Sequence, residues 1–387
     1  MNENNLLASP RKNILLVTHE YLPYPGGVAR YCASVAEAAV RIGHRVTVLA
    51  PTHGEQPSAT QAITESVRMK RFEGHIFHFR DLSRLKQAIE QALAQEHYDL
   101  IHAADWPAVI AVGKLRPASD CIASLHGTDI LVMKHSLRAR LTGVSKALQH
   151  YQHFYCNSRY TQSLLETHFP KLSSRSSVTP LGVDDHWFDA PSSAACTNFN
   201  QRIGRQPNDQ VVLTVARLES RKGQLTTIEA LGALPAAQRQ VLRYACVGKE
   251  VEDGYAQKLK QAARHHGVTL VLTGRIPDEE LKAAYGTADV FALTGVEQPR
   301  SVEGFGLVLL EAAAQGLPAV VTQVQAIPEV VAPGITGWIA QHVASLPDCF
   351  AHALGAGGLA LRQQCITRAR QFTWDRCAAG TYSAIGT

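Results

Sequence analysis

Short apolar runs, each the length of one strand and each closed by turn residues, recur along both halves of this 387-residue chain. In the first half they are Asn13 to Thr18, Arg45 to Ala50, Leu100 to His102, Cys121 to Leu125 and the stretch around Tyr155-Cys156. In the second they are Val211 to Ala216, Tyr244 to Gly248, Leu270 to Thr273, Asp289 to Leu293 and Ala319 to Thr322. An apolar run without polar alternation marks a strand covered on both faces, as in parallel sheets. Helix-length stretches such as Val28 to Ile42 and Leu82 to Gln95 lie between the runs. Alternation of this kind in both halves predicts an α/β chain of two doubly wound domains. A chain this long holds two cores, and a ligand is expected in the cleft that the domains face.

Glu303 to Pro318, EGFGLVLLEAAAQGLP, carries the densest chemical signal. Glu303 and Glu311 are separated by seven residues, and Gly304-Phe305-Gly306 leads into an apolar helical run that Gly316 and Pro318 end. The free N–H groups at the helix start, near Phe305 to Val308, favour an anion, phosphate above all. An ionised Glu311 amid leucines and alanines needs a partner, and a hydroxyl-rich ligand would supply one. The plainer alternative is that Glu303 complements the helix dipole while Glu311 faces solvent.

Other strand-to-helix turns carry polar or glycine residues where α/β folds bind ligands. Gly26-Gly27 follows the first strand, and such a pair lets backbone approach a ligand or simply makes a tight turn. His126 closes the Cys121–Leu125 strand, in His126-Gly127-Thr128-Asp129, as a candidate polar contact. Arg217 and Lys222 stand five apart in the turn after Val211–Ala216. Fixed cations there can hold an anionic group. No D-x-D pair stands ready to hold a metal ion, so the metal set is read as none.

Composition excludes several classes. Net charge of +5 is too small to argue nucleic-acid binding. Eight cysteines, scattered without a C-x-x-C pair, fit a reducing compartment better than a disulfide framework or a zinc site. The stretch MNENNLLASPRKN lacks a signal-peptide core, and no run reaches the length of a membrane span. The expected localisation is cytoplasmic. Residues 134–175 hold seven Lys/Arg against the single Glu166. The apolar face Leu137, Leu141, Val144 and Leu148 accompanies them, so peripheral contact with an anionic membrane stands beside an ordinary solvated helix.

The Glu–seven residues–Glu spacing with Gly-Phe-Gly resembles the signature of retaining glycosyltransferases of the GT-B fold, the large family-four group. Gly26-Gly27, His126-Gly127-Thr128, Val178 to Asp184 and Arg217 to Gly223 match the same family, so the likeness spans nearly the whole chain. It implies two Rossmann-like domains and a nucleotide-sugar donor, UDP- or GDP-linked, with no further cofactor. It also implies a glycan, lipid-linked or small-molecule acceptor. By the same likeness Glu311 takes the ribose, and Glu303 and His126 flank the transferred sugar. Arg217, Lys222 and the start at Gly304, Phe305, Gly306 and Leu307 receive the diphosphate. Gly274, Arg275 and Ile276 border the base, and Gly26-Gly27 faces the donor phosphate and acceptor. Leu181 stands where the family usually has Asn, and Gln325-Ala326 where many relatives have two glycines.

The expected organisation is a disordered tail over 1–12, an acceptor-side domain over 13–183 and a linker over 184–209. A donor-side domain over 210–360 and a helical tail over 361–387, returning to the first domain, complete it. Two rivals remain. A nicotinamide oxidoreductase would need G-x-G-x-x-G after a strand with an acidic residue about twenty further on, and the chain has none. A carbohydrate-binding relative without turnover would share the motifs, and only an assay separates it.

Overall fold

The structure, a computed structural model, describes residues 10–24, 26–52, 67–75, 81–135 and 143–383. The chain divides into two compact units, Met1–Gly182 with Thr373–Thr387, and Val183–Phe372.

The first unit holds β1 (Asn13–Val17), β2 (Arg45–Pro51), β3 (Arg68–Phe72), β4 (Leu100–Ala103), β5 (Asp120–Leu125), β6 (His153–Cys156) and β7 (Ser176–Val178). They pair in parallel in the order β3-β2-β1-β4-β5-β6-β7. Leu15, Ile101, Ala123 and Phe154 of the inner strands are wholly buried among helix residues such as Ile89 and Val109. Order reverses between β1 and β4, so the turns after these two strands open at the sheet's switch point.

The second unit repeats the plan with β8 (Gln210–Val215), β9 (Leu242–Val247), β10 (Thr269–Gly274), β11 (Val290–Leu293), β12 (Ala319–Thr322) and β13 (Gly337–Ala340). All pairings are parallel, in the order β10-β9-β8-β11-β12-β13. Val212, Tyr244, Val290 and Val320 carry its core, closed by Leu346 and Phe350 of the helix Leu346–Leu354. The switch point lies between β8 and β11. Three strands escaped the sequence reading: β3, β7 and β13. All three are edge strands, half-exposed and too polar or too short to stand out as apolar runs.

Two expected boundaries move. Residues 184–209 are no bare linker. They hold the 3-10 turn Asp185–Phe188 and the helix Ser193–Ile203, within the second unit. Ser192 caps that helix at Ala195 N–H, and Ala195, Phe199 and Ile203, four apart, bury one face. Arg202 pairs with Glu280 on the neighbouring helix Asp278–Thr287. The abundance of Asp, Ser and Asn suggested a loop, but those residues occupy the caps and the wet face.

The helical tail is likewise not one element. The helix Arg362–Ala369 belongs to the second unit, and the division falls at Phe372/Thr373 rather than at 360/361. Thr373 breaks the run by capping a new helix, Trp374–Tyr382, through its side-chain oxygen and Arg376 N–H (3.2 Å). That last helix packs on the helix Gly27–Arg41 of the first unit, with Arg41 and Asp375 2.7 Å apart. Of the stretch that carries the apolar face from Leu137 to Leu148, the described part is the helix Val144–Leu148; the helix Thr128–His135 precedes it. Leu137, Arg138, Arg140 and Leu141 lie outside the described residues, as do residues 1–9 of the expected tail. Among the described residues no helix is long and apolar enough to cross a membrane.

The last helix is tied to the sheet by a buried hydrogen-bonded chain. Tyr382 O–H meets His102 Nδ1 (2.8 Å), His102 Nε2 meets Ser124 Oγ (2.8 Å), and Ser124 Oγ meets Tyr31 O–H (2.7 Å). Burial, with a smaller contribution from His126, lowers the pKa of His102 from 6.5 to about 3. The ring is therefore neutral, and the unfolded chain binds a proton that the folded chain refuses over that window. Stability from this group is complete above pH 6.5 and erodes as pH falls towards 3, by up to about 1.4 kcal/mol per pH unit. Urea unfolding at pH 7, 6 and 5 should show this slope, and His102→Gln should flatten it by about one proton equivalent.

Candidate active site

In the second unit the two turns flanking the switch point bring five charged side chains into one chain of contacts. After β8 the backbone runs through Arg217 and Glu219 into the 3-10 turn Ser220–Lys222, ended by Gly223. After β11 it runs through Thr294 to Gly306, ending at Glu303 and the helix Leu307–Ala314. Arg217 Nη2 lies 3.1 Å from Glu219 Oε1, and Arg221 Nη2 donates to that same oxygen (3.0 Å). Arg221 Nη1 reaches Glu303 Oε2 (2.9 Å), which Lys222 Nζ also reaches (2.5 Å). Arg221, Lys222 and Glu303 are nearly buried, with 9%, 14% and 16% of their side chains exposed, whereas Arg217 is 59% exposed.

Burial alone would push the Glu303 carboxyl up. Lys222 and Arg221 outweigh that and hold it below the usual range, so it is ionised at neutral pH.

Hydrogen bonds to the backbone fix the turns. Val296 N–H donates to Arg221 O (3.0 Å), Thr294 Oγ1 donates to Gly223 O (2.7 Å), and Gln325 accepts from Glu303 N–H (2.5 Å). Gly223 is the residue that permits the approach. It sits at φ +76°, and a β-carbon on it would lie 1.8 Å from Thr294 O.

These placements change two expectations. Arg217 and Lys222 do not converge on one partner: Lys222 turns inward to Glu303, and Arg217 pairs at the surface with Glu219. The residue between them that joins the two halves, Arg221, was missed because loop cations look alike in sequence. The second change concerns Glu311. Its Oε2 accepts a hydrogen bond from Tyr285 O–H (2.8 Å), so the protein supplies a partner that the sequence reading assigned to a ligand. Burial, reinforced by Glu311, raises the Tyr285 pKa well above 10.0 and keeps the phenol a donor.

The helical run that Gly304-Phe305-Gly306 leads into begins at Leu307. Gly306, at φ +90°, caps Leu307–Ala314; Leu309 N–H turns back to Gly306 O (2.9 Å), which leaves the N–H groups of Leu307 and Val308 without an intrahelical acceptor by geometry. Gly304 and Phe305 are buried, with Phe305 edge-on to Phe372. Gly274 ends edge strand β10 and Arg275 and Ile276 follow it at the same sheet end, where Gly274 O accepts from Gly248 N–H (2.9 Å). Arg275 is exposed and Ile276 half-buried.

In the first unit the switch point is organised by Asp105, also missed. Its Oδ2 accepts from Thr18 Oγ1 (2.8 Å) and from His19 N–H, and its Oδ1 caps the helix Trp106–Leu115 at Ala108 N–H (3.0 Å). Gly26 is the extended cap of the helix that Gly27 begins, and both are exposed. His126, after β5, is half-buried, with its backbone N–H on Asp129 Oδ2 (2.9 Å). Its Nε2 lies 3.1 Å from Ala104 O, and a carbonyl only accepts, so Nε2 carries the proton. Burial, opposed by Asp129, lowers the His126 pKa. The neutral ring therefore offers Nδ1 as an acceptor. Tyr31 stands edge-on to it, ring centres 4.8 Å apart, at the end of the chain from Tyr382. Among the described residues no group of three His, Cys, Asp or Glu is gathered as a metal site.

Comparison with known proteins finds matches to both halves of the chain. The model of "Glycosyl transferases group 1" matches residues 197–372, and that of "Glycosyltransferase Family 4" matches residues 25–187. A GDP-mannose-dependent alpha-(1-6)-phosphatidylinositol monomannoside mannosyltransferase of Mycolicibacterium smegmatis is 30% identical over 344 residues, 84% of each chain. One of that name from Mycobacterium tuberculosis is 28% identical over 95% of this chain and 96% of its own. An Anabaena protein crystallised with UDP and glucose superposes with a TM-score of 0.77 at 20% identity, covering 96% of this chain and 98% of its own.

Gly223→Ala tests the cluster's scaffold. The left-handed backbone alone costs an L-residue roughly 1–2 kcal/mol, and the carbonyl clash adds to it. Thermal unfolding should show a loss of at least about 2 kcal/mol, greater than for Gly254→Ala, whose β-carbon would meet nothing within 4 Å at a similar φ of +77°.

Proposed function

This chain belongs to the group 1 glycosyltransferases and has their GT-B fold, and we propose that it transfers a hexose-type sugar from a nucleoside-diphosphate sugar with retention of anomeric configuration. One observation carries the reading: Glu303, Arg221 and Lys222 meet at the second sheet's switch point, where Gly306 opens a helix start. A carboxylate held ionised suits positive charge developing on a sugar, and cations beside a helix start suit a departing diphosphate.

In this reading Lys222, Arg217 and the N–H groups from Phe305 to Leu307 receive the diphosphate. Glu311, oriented by Tyr285, takes the ribose, and Gly274, Arg275 and Ile276 border the base. For the first unit, His126 Nδ1 is the candidate polar contact to substrate, and Gly26-Gly27 borders the acceptor side. The acceptor's proton passes to the leaving phosphate oxygen, so neither Glu303 nor His126 need form a covalent intermediate.

The relatives' names make GDP-mannose the first donor to test, with a UDP-linked sugar second. They favour a lipid-linked acceptor over a glycan or small molecule, and we propose a cytoplasmic protein peripheral at the inner membrane face. We propose metal-independent transfer, the cations of the β8 turn taking the metal's place.

A thermal-shift screen of GDP, UDP and their sugars should find one base that stabilises, by about 2.7 kcal/mol at a hundred times its dissociation constant. Transfer of radiolabelled sugar should survive EDTA. Dependence restored by manganese or magnesium would refute metal independence, and nucleotide binding without transfer or hydrolysis would favour the binding-only rival.

The two glutamates should separate kinetically. Glu311→Gln should raise donor KM roughly tenfold with kcat little changed, because the ribose is bound alike in ground and transition states. Glu303→Gln should lower kcat by about two orders of magnitude and leave nucleoside-diphosphate affinity intact. Calorimetry beside steady-state kinetics reads both, and the reverse pattern would exchange the two assignments.

A further inference from the structure

The two cations on Glu303 are not equivalent. Among the described residues every hydrogen bond to this carboxylate falls on Oε2, from Arg221 and from Lys222, and none on Oε1. Lys222 is one ammonium on a flexible stem, and turning it away breaks one ion pair. Arg221 is held at three points. Its guanidinium bridges Glu303 and Glu219, and its carbonyl accepts from Val296 N–H. Displacing it would leave two carboxylates without their buried partner, a far larger penalty than losing the lysine. A guanidinium can serve two carboxylates at once because its donors fork, and an ammonium in its place cannot match that geometry.

We propose that Arg221 is the positioning residue that fixes Glu303, with Oε1 presented to substrate, and that Lys222 is released from Glu303 to the nucleoside diphosphate when the donor binds. Glu303 would thus exchange two cations for one during the cycle, and the one that stays would be Arg221. This rests on the roles proposed above for Glu303 and Lys222. The charged groups facing the carboxylate are Lys222 and Arg221 from the β8 turn, with Glu219 behind the guanidinium. From the other side Gln325 binds the Glu303 backbone.

The experiment reads the carboxyl directly. Carbodiimide with glycine ethyl ester amidates a carboxyl in its protonated form, and peptide mass mapping of Glu303 against pH gives a labelling midpoint. In the ligand-free protein Arg221→Gln should raise that midpoint by about one to three pH units. Arg221→Lys should restore most of it, and also serves if the glutamine variant fails to fold. An unchanged midpoint in folded Arg221→Gln or Arg221→Met would overturn the positioning role.

Adding GDP, or UDP if that is the base that binds, should raise the wild-type midpoint as Lys222 leaves. The rise should vanish in Lys222→Gln, while a rise persisting there would come from diphosphate charge alone and would overturn the hand-over. In turnover, Arg221→Gln should lower kcat roughly ten- to a hundredfold and move the acid limb of the pH profile upward, leaving nucleotide affinity unchanged. If neither nucleotide binds, the proposed function and the hand-over fall together, whereas the ligand-free midpoint still decides the role of Arg221.

Discussion

One carboxylate oxygen, Glu303 Oε2, is shared by a guanidinium and an ammonium from a single turn, and much of the second unit is arranged to make that sharing feasible. Three nearly buried charges within one shell are stable only when each finds its counterion, and removing the shared carboxylate would strip both cations of theirs. The parallel sheet solves the positioning problem. Its order places β8 beside β11, so two turns far apart in sequence open side by side. Gly223 lets them touch, and the bonds from Val296 and Thr294 hold them in register. The net ionic contribution to stability is small in such arrangements, and what the charges fix is geometry.

The two units prepare their switch points by opposite chemistry. The second uses full charges in contact. The first uses Asp105 as a hub for backbone and hydroxyl donors, and neutral imidazoles for the rest. His102 is so deeply buried between Tyr382 and Ser124 that it cannot accept a proton near neutrality, and His126 has one nitrogen spent on Ala104. A neutral histidine here is an oriented dipole rather than a charge, and protonating it would disturb a chain of partners extending to the last helix.

Inner strands were legible because burial on both faces leaves an unbroken apolar run, as in Leu15-Leu16-Val17 or Val320-Val321. Edge strands β3, β7 and β13 were not, because β3 is largely basic and β7 and β13 are too short to stand out as apolar runs. The helix Ser193–Ile203 was misjudged because its polar face outnumbers Ala195, Phe199 and Ile203. Within the site, spacing alone flagged Glu303, Glu311 and Lys222. Nothing local flagged Arg221, Tyr285 or Asp105, whose importance lies in partners 82, 26 and 87 residues away. Which of two adjacent cations is buried is decided by tertiary packing, and a turn of three residues holds no periodicity from which to read it.

The helix Trp374–Tyr382 completes a unit whose other elements all precede Gly182, with the entire second unit lying between them in the chain. During synthesis the seven strands of the first sheet emerge long before Tyr382 can reach His102. Until then the face of Gly27–Arg41 that this helix covers stays open, and the buried histidine lacks one of its two partners. The second unit, by contrast, is contiguous and can close as soon as Phe372 is made. Since domains tend to fold as their chain becomes available, the later-made unit is the first to be finished. The neutral histidine network next to His126 is then among the last features set, and a nascent chain has a complete ionic cluster before it has a complete partner unit.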